Sequence, residues 1–147
     1  MTAEEQSARA ALDEEKDGKL PDALKRWNEL SKKKGNADPD FHAWGLLGER
    51  YGKKLQDVLD RHVQLKTKIQ YERLSGKAAV PDSDHEKIAL QAVRAELAGE
   101  RAKKPEDAEP LFKKAREQWD ELKKATEKED RHWHLLAAWR YREMKKS

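Results

Sequence analysis

The sequence predicts an all-α fold, six helices forming a solenoid or bundle of two pseudo-repeats with a long third helix. Three observations lead there. Ala, Glu, Lys, Leu and Arg make up 57% of the 147 residues, a share that at helical spacing belongs to long helices. Apolar residues recur three and four apart along most of the chain, the period of one helix face. Five tryptophans supply apolar area where Leu, Ile, Val and Phe together reach only 16%. So low an aliphatic content signals disorder only when net charge is high, and here 32 basic residues face 29 acidic ones. The expectation is a single domain over residues 1–147, with a thin core and a heavily charged exterior.

The first helix spans about residues 3–16, with a narrow stripe of Ala8, Ala11 and Leu12. "DGKLP" breaks it, and Pro21 suits the opening turn of a second helix. There Leu20, Ala23, Leu24, Trp27 and Leu30 share one face, and "KKKGN" sets cations and a glycine at the end, where carbonyl dipoles favour them. Asp38 caps a third helix with Pro39 in its first turn. Phe41, Trp44, Leu47, Tyr51, Leu55, Val58, His62, Leu65 and Ile69 then run to about Leu74. That seam is roughly 50 Å of helix at 1.5 Å per residue, near-heptad in spacing, with Gly52 as a candidate kink. "SGKAAVPDSD" is the clearest break. Beyond it Ile88, Ala92, Ala95, Gly99 and Ala102 form a small-residue seam on a fourth helix. A fifth is expected to begin near Asp107 with Pro110 in its first turn, carrying Phe112, Ala115, Trp119 and Leu122. A sixth runs from about Arg131 to Met144, with Trp133, Leu136, Ala137 and Tyr141 inward.

One pattern is spelled twice. Leu20, Ala23, Trp27 and Leu30 correspond to Phe112, Ala115, Trp119 and Leu122 at a constant offset of 92. Trp44, Leu46 and Leu47 correspond to Trp133, Leu135 and Leu136 at an offset of 89. Two pseudo-repeats, about 3–75 and 82–146, are expected, each leaving an apolar face for the other to cover. Within "ARAALDEEKDGKLPDALKRWNEL", Ala11, Gly18, Leu20, Ala23, Trp27 and Leu30 stand in an order that resembles a tetratricopeptide repeat. The later copy departs from it, with Pro110 where Gly18 stood. The resemblance implies a TPR-like helical array that binds peptides or helices. No residues match that family's peptide-carboxylate clamp. The Trp-x-Leu-Leu ends also resemble helical repeat regions attached to some large bacterial serine/threonine kinases. No glycine-rich loop, "HRD" or "DFG" accompanies them.

The chemistry of catalysis is not spelled out. His132 and His134 lie two apart, about 200° around a helix, and no metal-ligand spacing or nucleophile motif occurs. With no cysteine, disulfides and thiolate metal sites are excluded. No metal, cofactor or catalytic residue is therefore expected, and no membrane insertion. His62, in the apolar seam, reads as a satisfied packing histidine. Trp27, Trp44, Trp119 and Trp133 read as core. Trp139 falls off its helix's stripe beside Leu135 and is the one aromatic expected to be exposed as a partner or dimer contact. The expected function is a cytoplasmic, non-enzymatic scaffold or adaptor module that binds a peptide or helix of a protein partner. The alternatives are a homo-oligomer paired through residues 51–74 and, less favoured, a nucleic-acid binder using lysine pairs such as those in "KKK" at 32–34.

Overall fold

The computed structural model describes residues 1–146, and every described element is helical. The chain divides into two compact units, Met1–Leu59 and Asp60–Ser147, with the division inside the third helix.

The first unit holds α1 (Ala3–Lys16), α2 (Leu20–Ser31), a 3-10 turn (Lys32–Gly35) and the opening of α3 (Pro39–Ser75). Thr2 caps α1 by accepting the Glu5 amide at 3.2 Å. The helix ends at Lys16 with Asp17 as its cap, and Gly18 follows with a left-handed φ of 79°. The Gly18 amide donates to the Glu15 carbonyl and the Lys19 amide to that of Glu14, which satisfies the last carbonyls and turns the chain back. α2 then lies along α1, burying Leu20, Ala23, Trp27 and Leu30. The Trp27 indole stacks on Tyr51 of α3 at 4.9 Å, and its N–H donates to the buried Glu15 carboxylate at 3.3 Å. Trp44, expected in the core, is only half-buried.

Glycine sets how α3 enters. Gly45, Gly48 and Gly52 share one face, and a Cβ on Gly48 would stand 2.6 Å from the Trp27 carbonyl oxygen. One on Gly45 would stand 2.0 Å from the Lys34 amide nitrogen. α3 runs unbroken through Gly52, which is buried against α2. Its Cβ would press only on the end of a movable side chain, the Asn28 amide oxygen at 2.9 Å, and would meet the Trp27 Cβ at an ordinary contact distance of 3.6 Å.

The second unit holds the rest of α3, α4 (Asp84–Arg101), α5 (Pro105–Ala125) and α6 (Arg131–Lys145). α4 packs along α5, and α5 along α6. Small residues on α4 allow the approach: Ala92 and Ala95 are buried, and a Cβ on Gly99 would stand 2.6 Å from the Phe112 ring. Thr126 closes α5 by donating its hydroxyl to the Leu122 carbonyl at 2.7 Å. Asp130 caps α6 by accepting the Trp133 amide. α5 starts at Pro105, two residues before the expected Asp107, so Pro110 lies inside the helix. Either proline can open a helix. The chain uses the first, and the second forgoes one backbone bond at an exposed position.

The polar centre of this unit is Glu96, with no exposed surface. One carboxylate oxygen accepts from the Trp119 indole at 2.7 Å and from Arg140 Nε at 3.0 Å. The other accepts from Arg140 Nη2 at 3.1 Å and faces His62 Nε2 at the same distance. Burial opposes the ionised form of Glu96, but the His62 hydrogen bond and the Arg140 charge and hydrogen bonds outweigh it and hold its carboxyl below the ordinary range. Burial, the largest influence on His62, lowers its imidazole despite the Glu96 hydrogen bond. Trp119 therefore repeats the chemistry of Trp27, an indole on the second helix of a hairpin donating to a buried glutamate on the first.

Trp139 corrects an expectation. It is 9% exposed, meets the His62 ring edge-on at 5.2 Å, and carries the Arg140 guanidinium over its face at 4.7 Å. Leu135 to Trp139 are all buried, because α6 is covered on more than one side and has no solvent stripe there.

Candidate interaction surface

The part of α3 in the second unit has two apolar faces. His62, Leu65 and Ile69 turn inward and are buried. On the opposite face Val63, Thr67, Tyr71 and Leu74 follow one another at helical spacing toward solvent. Val63 is 60% exposed, Tyr71 65% and Leu74 87%. Val80, in the loop after α3, is 79% exposed. Scattered exposed apolar residues need no explanation, whereas a cluster on one face is a candidate contact surface.

The loop beside this face is pinned. Gly76 takes a left-handed φ of 71°, and the Lys77 amide donates to the Ser75 hydroxyl at 3.2 Å. The Ala79 amide donates to the Glu72 carboxylate at 2.9 Å. Glu72 in turn receives two hydrogen bonds from Arg94 of α4, both at 2.7 Å. Those bonds, with the Ala79 amide, bring its carboxyl down to about 2. At the loop's far end Lys68 bridges Asp82 and the buried Glu86, and Ser83 caps α4. A groove of about 420 Å³ lies between Thr67, Lys68 and Tyr71 on α3 and residues 77–80 of the loop. The chain thus holds exposed apolar groups in a fixed arrangement.

A depressed carboxyl stabilises the folded state above its unfolded value, near 4.5, and that stability is lost as pH falls through about 2. The clasp accordingly persists through mild acid. Replacing Arg94 with Ala is expected to release the loop, costing roughly 1 kcal/mol for a part-exposed pair. Amide exchange at Ala79 measures the release. Faster exchange there with α4 protection retained is the expected result.

Sequence reasoning missed this face because it followed the inward seam. The signal was present in Val63 and Tyr71, apolar residues left over once that seam was assigned. Both carboxylate oxygens of Glu96 are occupied, and Glu96 itself is fully buried. Among the described residues no group of three or more His, Cys, Asp or Glu is placed to hold a metal ion. Among the described residues no helix is long and apolar enough to cross a membrane. No protein-family model, curated protein or solved structure matches the chain.

Proposed function

We propose that the chain is a cytoplasmic, non-enzymatic protein-interaction module of TPR-like helical type. It docks a peptide or helix of a partner protein on the outer face of α3 and the pinned loop. The observation that carries this reading is that Val63, Tyr71 and Leu74 stand at least 60% exposed on one face of α3, and that Tyr71 lines a groove with the equally exposed Val80 of the ion-paired loop. Helix-in-groove recognition uses such a surface, with apolar anchors giving affinity and surrounding charges giving specificity. The resemblance of residues 8–30 to a tetratricopeptide repeat belongs to the same reading.

Self-pairing through the seam of residues 51–74 is disfavoured. Leu55, Val58, His62, Leu65 and Ile69 are all 5% exposed or less within one chain, so that seam is already used. Phosphate binding is disfavoured as well. Lys32, Lys33 and Lys34 are each ion-paired, with Glu29, Glu4 and Glu49. Lys124 and Lys146 pair with Asp120 and Glu143.

A displayed-peptide selection against the full chain tests the proposal. Selected ligands are expected to lose at least about tenfold in affinity against the Tyr71→Ser/Leu74→Ser variant, since anchors at the centre of an interface cost more than about 1 kcal/mol each. Both positions are exposed, so circular dichroism should show an unchanged helical content. Ligands indifferent to the two substitutions would remove the reading.

A further inference from the structure

We infer that the ligand of this face is an acidic amphipathic helix, its apolar stripe bordered by Asp and Glu; the inference rests on the docking reading above. Val63 to Leu74 span roughly 16 Å of helix at 1.5 Å per residue, enough to meet three turns of a partner. Lys66 and Arg73, seven residues and about two turns apart, border the strip on one flank. Lys77 stands at the groove on the other side. Among the described residues none of these three cations makes an ion pair.

The nearby carboxylates are engaged. Glu72 is held by Arg94, Glu86 by Lys68 and Arg61, and Asp82 by Lys68. Asp84 sits in the first turn of α4, where the helix dipole favours it. The strip therefore offers uncompensated positive charge around an apolar centre, and electrostatic complementarity asks for negative charge around an apolar stripe. A second copy of the chain would bring the same cations together. A nucleic acid would meet the cations but leave Val63, Leu74 and Val80 uncovered. A flat anionic bilayer would leave the groove unfilled, whereas a helix can insert a side chain into it.

Three synthetic peptides that share one apolar stripe and differ only in bordering residues, Glu, Gln or Lys, test the inference against the full chain. The Glu peptide is expected to bind about tenfold more tightly than the Lys peptide at low salt, with the gap narrowing toward about 0.5 M salt. The Lys66→Glu/Arg73→Glu/Lys77→Glu variant should reverse the order, and a Gln version of the same triple variant should abolish the preference. Equal binding of all three peptides, lost on Leu74→Ser, overturns the acidic partner while leaving the docking surface. Binding by none of them, with the library still yielding strip-dependent ligands, has the same consequence. A library that yields no strip-dependent ligand overturns both. Co-sedimentation with phosphatidylcholine–phosphatidylserine vesicles, or a dimer abolished by Leu74→Ser, would assign the face to a membrane or to a second copy and overturn the inference.

Discussion

Replacing Glu96 with Ala is expected to destabilise the second unit by about 3–5 kcal/mol, the cost of breaking a buried ion pair from one side. The variant leaves the Arg140 guanidinium without its bidentate partner, with an Arg140 side chain only 11% exposed. It also deprives the Trp119 indole of its acceptor at full burial. Both donors would then be buried and unpaired, which is costlier than the hydrogen bonds were worth. Urea unfolding followed by circular dichroism gives the number, and a loss below about 1 kcal/mol would mean the node is not what fixes this unit. The same cluster sets the acid limb of stability. Burial, the largest influence, lowers the folded His62 imidazole from 6.5. As pH falls below 6.5 the unfolded chain takes up a proton that the folded chain resists, so stability declines with falling pH. Depression of the Glu96 carboxyl adds a second loss further into acid, below its ordinary value of 4.5. A His62→Gln variant should flatten the upper part of that decline.

Gly48→Ala is expected to cost the first unit roughly 1–3 kcal/mol through overpacking. That is notable because alanine in a helix interior otherwise gains about 1 kcal/mol over glycine. The clash wins because the added Cβ would meet backbone, the Trp27 carbonyl at 2.6 Å and the Ser31 amide at 2.7 Å, and backbone cannot swing aside. Gly52→Ala supplies the control. Its neighbours are side-chain atoms of Asn28 and Trp27, so the propensity gain should survive and the variant should be neutral or slightly stabilised. Equal outcomes for the two variants, read from thermal unfolding, would contradict the close backbone approach of α3 and α2.

The helices were legible because their apolar residues keep a 3.6-residue period and their ends carry turn chemistry. Gly18, Pro39 and Asp130 mark boundaries the structure uses. The start of α5 was misplaced because Pro110 satisfies the rule for an opening turn, and so does Pro105, where the helix in fact begins. Three other features hide for a common reason. The partners of Glu96 lie 34, 23 and 44 residues away along the chain, so no local window contains the cluster. Gly45 and Gly48 look like weak points in a helix until the backbone opposite them is known. Trp139 reads as outward when a helix is assumed to bury one stripe, and α6 buries more. The exposed apolar face of α3 was within reach of sequence reasoning. Val63, Tyr71 and Leu74 were apolar residues without a role in the seam, on a helix whose other side was already full.

Titration of the isotopically labelled full chain with the tightest selected peptide, followed residue by residue by NMR, tests the docking surface most directly. Amides of residues 63–80 should shift together and saturate at one affinity, with Thr67, Tyr71 and Ala79 among the largest changes. Shifts centred on α1 and α2, or a bound peptide that leaves residues 63–80 unperturbed, would contradict it.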